Sequence, residues 1–291
     1  MENSNITQVI IDTINTILSN LFSSIDNNLY KVLDDITFIN SDILYDKNFE
    51  KIFGTSTTNG ILLIANSLLL GIILYFAIRY LLSHFTYTKI ESPHSFLIKL
   101  VLCGICMNCS YFLLSQFLDI FSNISLAIRG LGENIFHKNI CFSELISDIN
   151  NNISINSSAI DIFTLDGLIK GIISTSLLGL VFSYSMRYVL IKVFVLIAPF
   201  AILSKSLDAT SWFFKSWFRN LFSLLFIQII VSIILLILFS IDYTSSNLLS
   251  KLIYIGGLYS LMKANTFVRE FIGGVSTDVP QNVGKFLKLS K

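Results

Sequence analysis

Residues 61–80, 96–118, 168–187 and 221–241 form four stretches of almost unbroken apolar sequence. A helix needs about 20 such residues to cross the hydrocarbon of a bilayer. A chain carrying four of them is a polytopic, all-α membrane protein before any motif is read. Composition agrees: 13% of the residues are charged, against about 25% in soluble domains. A fifth stretch, 248–262, is shorter and contains Lys251. Residues 188–204 are also apolar and follow the third stretch without turn residues, so they either cross separately or continue the third helix.

Charge decides between these. Cytoplasmic segments collect Lys and Arg. With five spans and an outside N-terminus, thirteen of the twenty basic residues fall inside and six outside, while fifteen of the nineteen acids fall outside. A separate crossing over 188–204 would split the basic residues onto conflicting sides. The sequence therefore predicts five transmembrane helices in the cytoplasmic membrane, N-terminus outside and C-terminus inside. The first residues lack a basic stretch followed by an apolar one, so the first span is expected to direct insertion itself.

The expected organisation is an extracytoplasmic segment (1–57), a two-span hairpin (58–118), a polar outer loop (119–166), and a long third span with an amphipathic elbow (167–220). The last two spans (221–268) and a basic tail (269–291) follow. In the first segment Ile6, Ile10, Ile14, Ile17, Leu21, Ile25, Leu29, Val32 and Ile36 recur every three or four residues, the spacing of an amphipathic helix. Such a helix lies on the outer leaflet, packs on a partner, or covers the chain's own loops.

In the third span, Gly167, Gly171, Thr175, Gly179 and Ser183 are four apart. Small residues in that register let another helix approach closely, either within the chain or between copies of it. Gly256 and Ser260 repeat the pattern in the fifth span. Cys103, Cys106 and Cys109 have the spacing of an iron–sulfur ligand run, but they sit inside a span with only Cys141, far away, as a fourth. Buried packing accounts for them. His84, His94 and His137 have no metal-ligand spacing. Walker motifs, a Gly-x-Ser-x-Gly elbow and intramembrane carboxylate pairs are all missing. These features argue against an enzyme, a proton-coupled transporter and any cofactor or metal site. A net charge of +1 gives no overall bias toward nucleic acid.

The stretch "LIAPFAILSKSLDATSWFFKSWFRN" (196–220) turns from apolar to polar at the inner face. Pro199 is expected to break the long third helix. Asp208 or Thr210 then caps a second helix. Its apolar side is Phe213, Phe214, Trp217 and Leu221; its polar side is Asp208, Ser211, Lys215 and Arg219. With Trp212, that mixture suits an interfacial helix, an elbow leading along the surface into the fourth span. Arg187 and Lys192 are expected at headgroup level.

Here the chain resembles a known family. Arg187 near the end of a long central helix, an apolar run into Ala198 and Pro199, and then Thr210, Phe213 and Trp217 before another span, are similar to the TrbL family. Its members are polytopic inner-membrane subunits of type IV secretion and conjugation machines. The detailed likeness covers 187–241. The chain is short for the family and does not have the Gly/Ser-rich C-terminal extension of some members, as a reduced version on a mobile element would be.

The resemblance implies a non-enzymatic role. The subunit would assemble with copies of itself and other channel subunits, and help move single-stranded DNA or protein across the membrane, powered by separate ATPases. A small-solute permease subunit and a phage or mobile-element scaffold are the rival readings. The first predicts polar residues lining a site, of which the spans offer Asn66, Ser67, Asn108, Gln116 and Gln228.

Overall fold

The computed structural model describes residues 9, 13, 15–17, 20, 32–54, 59–86, 91–152, 165–241 and 248–273. Among these there are helices and turns and no strand. After a helical stretch at 32–37 and a 3₁₀ turn, Ser41–Leu44, come α1 (Lys47–Phe53), α2 (Ile61–Thr86), α3 (Pro93–Asn108), α4 (Ser110–Phe136) and α5 (Phe142–Asn152). They are followed by α6 (Leu165–Ser204), a 3₁₀ turn (Asp208–Thr210), α7 (Ser211–Phe239) and α8 (Leu248–Ile272).

Among the described residues, four segments are long and apolar enough to span a bilayer: Ile61–Phe85, Ser110–Phe136, Gly171–Ser204 and Asp208–Phe239. The chain is thus an all-α, membrane-embedded protein. α2 shows why: Leu70, Leu74, Leu81 and Phe85 are each more than 60% exposed. An apolar surface of that extent is covered by lipid in a chain of this kind. α8 has 25 residues but carries Lys263, Arg269 and Glu270 within it, and it is not among the four.

The second expected span, 96–118, is interrupted. α3 has 16 residues, about 24 Å of helix, which is short of the roughly 30 Å hydrocarbon. The helix passes through Cys109 as a turn: Cys109 N–H donates to Ile105 O and Leu113 N–H to Cys109 O, both at 2.9 Å. Beyond it α4 runs on to Phe136, where His137 ends it in the left-handed conformation at φ 53°. The first eighteen residues of the expected outer loop, 119–136, are therefore helical. Their apolar residues Ile120, Phe121, Ile124, Leu131 and Ile135 fall at helical spacings among polar ones. Residues 153–164, with most of "NNISINSS", lie outside the described residues, as does the basic tail from 274 on.

α6 is one helix of 40 residues, so 188–204 continues the third span. It does not break at Pro199 but ends five residues later. It is the central element, touching α2, α3, α4, α7 and α8. Contact pairs give the directions. Phe76 stacks on Phe96 and Asn66 pairs with Asn108, so α2 and α3 are antiparallel. Phe117–Phe218, Phe121–Phe222 and Ser125–Ser232 make α4 and α7 parallel. Phe194 with Trp217 and Arg187 with Leu224 make α6 antiparallel to α7.

The expected amphipathic helix over the first segment is described only in part. Residues 32–37 are helical, but Phe38–Asn40 are not. From there the chain enters its own bundle. Leu33, Ile39, Leu44 and Phe53 are each at most 2% exposed, whereas Val32 is 45% exposed. This stretch packs into the chain's own core rather than over its loops. Asp34 fixes the entry: its carboxylate accepts the N–H groups of Phe142 (2.8 Å) and Ser143 (3.1 Å) and the Ser143 hydroxyl (2.6 Å). It thereby supplies the start of α5 with the acceptor that free helix N–H groups need. Asp119 Oδ1 accepts Ser41 N–H at 3.0 Å.

The close approach of α8 to α7 rests on Gly257, not on Gly256. A Cβ at Gly257 would overlap the end of Leu238 and sit 3.1 Å from its Cγ, whereas one at Gly256 meets nothing within 4 Å among the described residues. Gly257→Ala is expected to cost about 1–3 kcal/mol by overpacking. Gly256→Ala is expected to be neutral or stabilising by up to about 1 kcal/mol, because helical glycine is unfavourable. Thermal midpoints of the two purified variants in detergent check the difference.

Candidate functional site

The most unusual group in the molecule is Arg187. A guanidinium in a membrane span is costly and rare, and it marks a functional position by default. The sequence places it at headgroup level; the structure does not. Arg187 is 0% exposed. Its Nε donates to Leu224 O of α7 at 2.7 Å, its Nη1 to Thr37 O of the N-terminal segment at 2.8 Å, and its Nη2 to Gln228 Oε1 at 3.3 Å. Gln228 Oε1 also accepts Ile39 N–H at 3.1 Å.

One side chain therefore ties α6, α7 and the N-terminal segment together. Among the described residues no acid forms an ion pair with it. The charge is stabilised by oriented carbonyl dipoles, which its rigid fork of donors can engage in several directions at once. Gln228 Nε2 and Thr37 Oγ1, both buried here, have no partner among the described residues. The polar path continues across α7: Ser232 Oγ donates to Gln228 O at 2.9 Å and meets Ser125 Oγ of α4 at 2.7 Å.

The α6–α7 corner is built by three further contacts. Pro199 lies inside α6 and is buried; without an amide hydrogen it leaves the Val195 carbonyl without its helical donor. The Trp217 indole N–H donates into the same turn, to Phe194 O at 2.9 Å, and Trp217 is 5% exposed. Thr210 was expected to cap the following helix. It does the reverse: its hydroxyl donates to Ser204 O at 2.8 Å, satisfying an end carbonyl of α6. Asp208 makes no side-chain cap on α7 either. Its Oδ1 lies 3.5 Å from Lys99 Nζ of α3, and Lys99 also reaches Glu91 at 2.7 Å. That ammonium and the Ser95 hydroxyl hold the Glu91 carboxyl below its ordinary value.

There is accordingly no separate surface helix. α7 starts at Ser211 and runs straight into the fourth span. Its first turns keep the expected faces: Lys215 and Arg219 are exposed, Phe213 and Phe214 half-buried, and Trp217 and Leu221 buried. Trp212 is 67% exposed. Lys192 lies 5.3 Å from the ring centres of both Phe49 and Tyr188, with Nζ 3.9 Å from Asp46 Oδ2, and so holds α1 against α6.

The small-residue stripe is divided. Gly167 and Ser183 are buried, Gly171 and Gly179 half-buried and Thr175 exposed. At Gly179 the neighbour is Met262 of α8 in the same chain, 3.0 Å from where a Cβ would lie. Thr175 turns its hydroxyl back to Gly171 O at 2.8 Å. Cys103 is buried while Cys106 and Cys109 are exposed. Cys141 sits at the start of α5, where burial pushes its thiol above its usual range. Sequence reasoning missed Thr37 and Leu224 at the arginine, because both contribute backbone carbonyls.

Comparison with known proteins finds no protein-family model, no curated protein and no solved structure that matches the chain.

Proposed function

We propose that the chain is a non-enzymatic channel subunit of a type IV secretion or conjugative DNA-transfer machine. It sits in the cytoplasmic membrane and works with copies of itself, other channel subunits and separate ATPases. The observation that carries this reading is the joining of the residues shared with the TrbL family. Arg187 bonds α7, Trp217 bonds the turn that Pro199 interrupts, Thr210 closes the end of α6, and Ala198 is buried between them. A loose sequence pattern thus falls along one hydrogen-bonded helix pair, α6 and α7.

The helix directions alternate along the chain. α2 is antiparallel to α3, α4 continues α3 and is parallel to α7, and α6 opposes α7. α8 opposes α7 as well, through Leu238 with Gly257 and Arg219 with Gly273. The order is then down, up, down, up, down. The basic bias of the sequence puts the α6–α7 corner inside, facing the ATPases.

The test is mating in cells whose native copy is deleted. Loss of DNA transfer on deletion, its return with the wild-type chain, and failure of Gly179→Leu at normal membrane levels are expected. Undiminished transfer after deletion overturns the reading and moves the permease and scaffold alternatives forward.

A further inference from the structure

A groove of about 490 Å³ opens where the α3–α4 turn, the end of α6 and the start of α7 meet. That is the size of a small-molecule site, which commonly spans about 300–1,000 Å³. Its walls are apolar, with Leu102, Cys106 and Leu113 on one side and Phe214 and Phe218 on the other. Lys205 lines it too, and is exposed. We infer that this groove holds one acyl chain of an anionic phospholipid, with the headgroup phosphate on Lys205.

Three observations select that occupant. First, an apolar cleft in a membrane-embedded bundle offers water no partners, and several of its lining residues, Leu102, Leu113 and Phe218 among them, are exposed at the surface of the bundle. A lipid tail can therefore enter from the side.

Second, the level of Lys205 has the composition of a headgroup region. Trp212, seven residues on in the chain, is exposed, with Lys215 and Arg219 exposed one and two turns further on. Exposed tryptophan and basic residues mark the membrane–water boundary.

Third, the charge at the mouth is uncompensated. Among the described residues Lys205 forms no ion pair, and the neighbouring acid, Asp208, faces Lys99. The carbonyls at the end of α6, which would repel a phosphate, are engaged by Lys205 N–H, Ser206 N–H and the Thr210 hydroxyl. The start of α7 turns the positive end of its dipole to the same corner.

In a bilayer the tail alone confers no preference, since lipid tails are as apolar as the groove. The selectivity comes from the headgroup. The full chain is purified in detergent, and adducts with phosphatidylglycerol and with phosphatidylcholine of identical tails are compared by native mass spectrometry. One basic residue at a membrane surface favours an anionic lipid about fivefold, and that preference is expected for the wild type. Lys205→Gln, at an exposed position, is expected to abolish the preference. Cys106→Trp, which fills the groove, is expected to remove the adduct.

Equal binding of the two lipids by the wild type overturns the proposal. A preference that survives Lys205→Gln does so too, as it places the headgroup elsewhere. A preference lost in Lys205→Gln but an adduct retained in Cys106→Trp, with that variant's thermal midpoint unchanged, overturns the groove as the site of the tail.

Discussion

Replacing Arg187 with alanine is expected to give the largest loss of stability of any single change in this chain. The side chain donates three hydrogen bonds to three separate partners. Bonds from a charged group contribute about 1.5–3 kcal/mol each, so losing all three costs at least roughly 4.5 kcal/mol. The N-terminal segment would feel it first, because Thr37 is held through Arg187 and Ile39 through Gln228. Arg187→Lys is expected to be nearly as damaging. An ammonium on a single stem is a point charge and cannot span α7 and Thr37 together as the planar fork does. The checks are membrane accumulation, thermal midpoint in detergent and protease sensitivity of the first 54 residues. An Arg187→Lys chain as stable as wild type would show that charge, not geometry, is what the site requires.

The second large effect is expected at Trp217. Trp217→Ala empties a site that is 5% exposed and deletes the indole N–H to Phe194 O. Truncations of this kind cost about 3–5 kcal/mol. Trp217→Phe keeps most of the ring packing against Phe214 and Phe218 and loses the hydrogen bond, for about 1 kcal/mol. If the corner matters for transfer as well as for folding, Trp217→Phe lowers mating more than its small loss of accumulation explains. Equal, proportionate losses in both variants would confine Trp217 to a packing role.

The two sites differ in how visible they are from residue order. Trp217 was legible: a large aromatic on the apolar side of an amphipathic turn packs inward wherever that turn sits. Its faces held even though the surface helix proved to be the start of α7. Arg187 was visible as an oddity but misplaced, since the end of an apolar stretch normally lies at the headgroups. Four-residue spacing with Ser260 points to Gly256 and gives no sign of Gly257. The neighbour that settles the matter, Leu238, lies on another helix.

The 96–118 stretch reads as one span in the sequence because apolar length is blind to a turn at Cys109. The helix beyond it looked like a loop because its polar face dilutes the count. Pro199 was expected to break α6. In the folded chain packing holds the helix through the proline, and the indole of Trp217 donates into the affected turn.

Residue order alone determined that this chain is helical and lives in a membrane. Apolar length and charge scarcity settle that, because a backbone in hydrocarbon has only its own helix in which to satisfy its N–H and C=O groups. Only the tertiary structure decided where the buried charge goes and what meets it. Leu224 and Thr37 receive Arg187 through main-chain carbonyls, which every residue possesses. No side-chain pattern can announce them, and only the packing of α6 against α7 and the N-terminal segment brings them to the guanidinium.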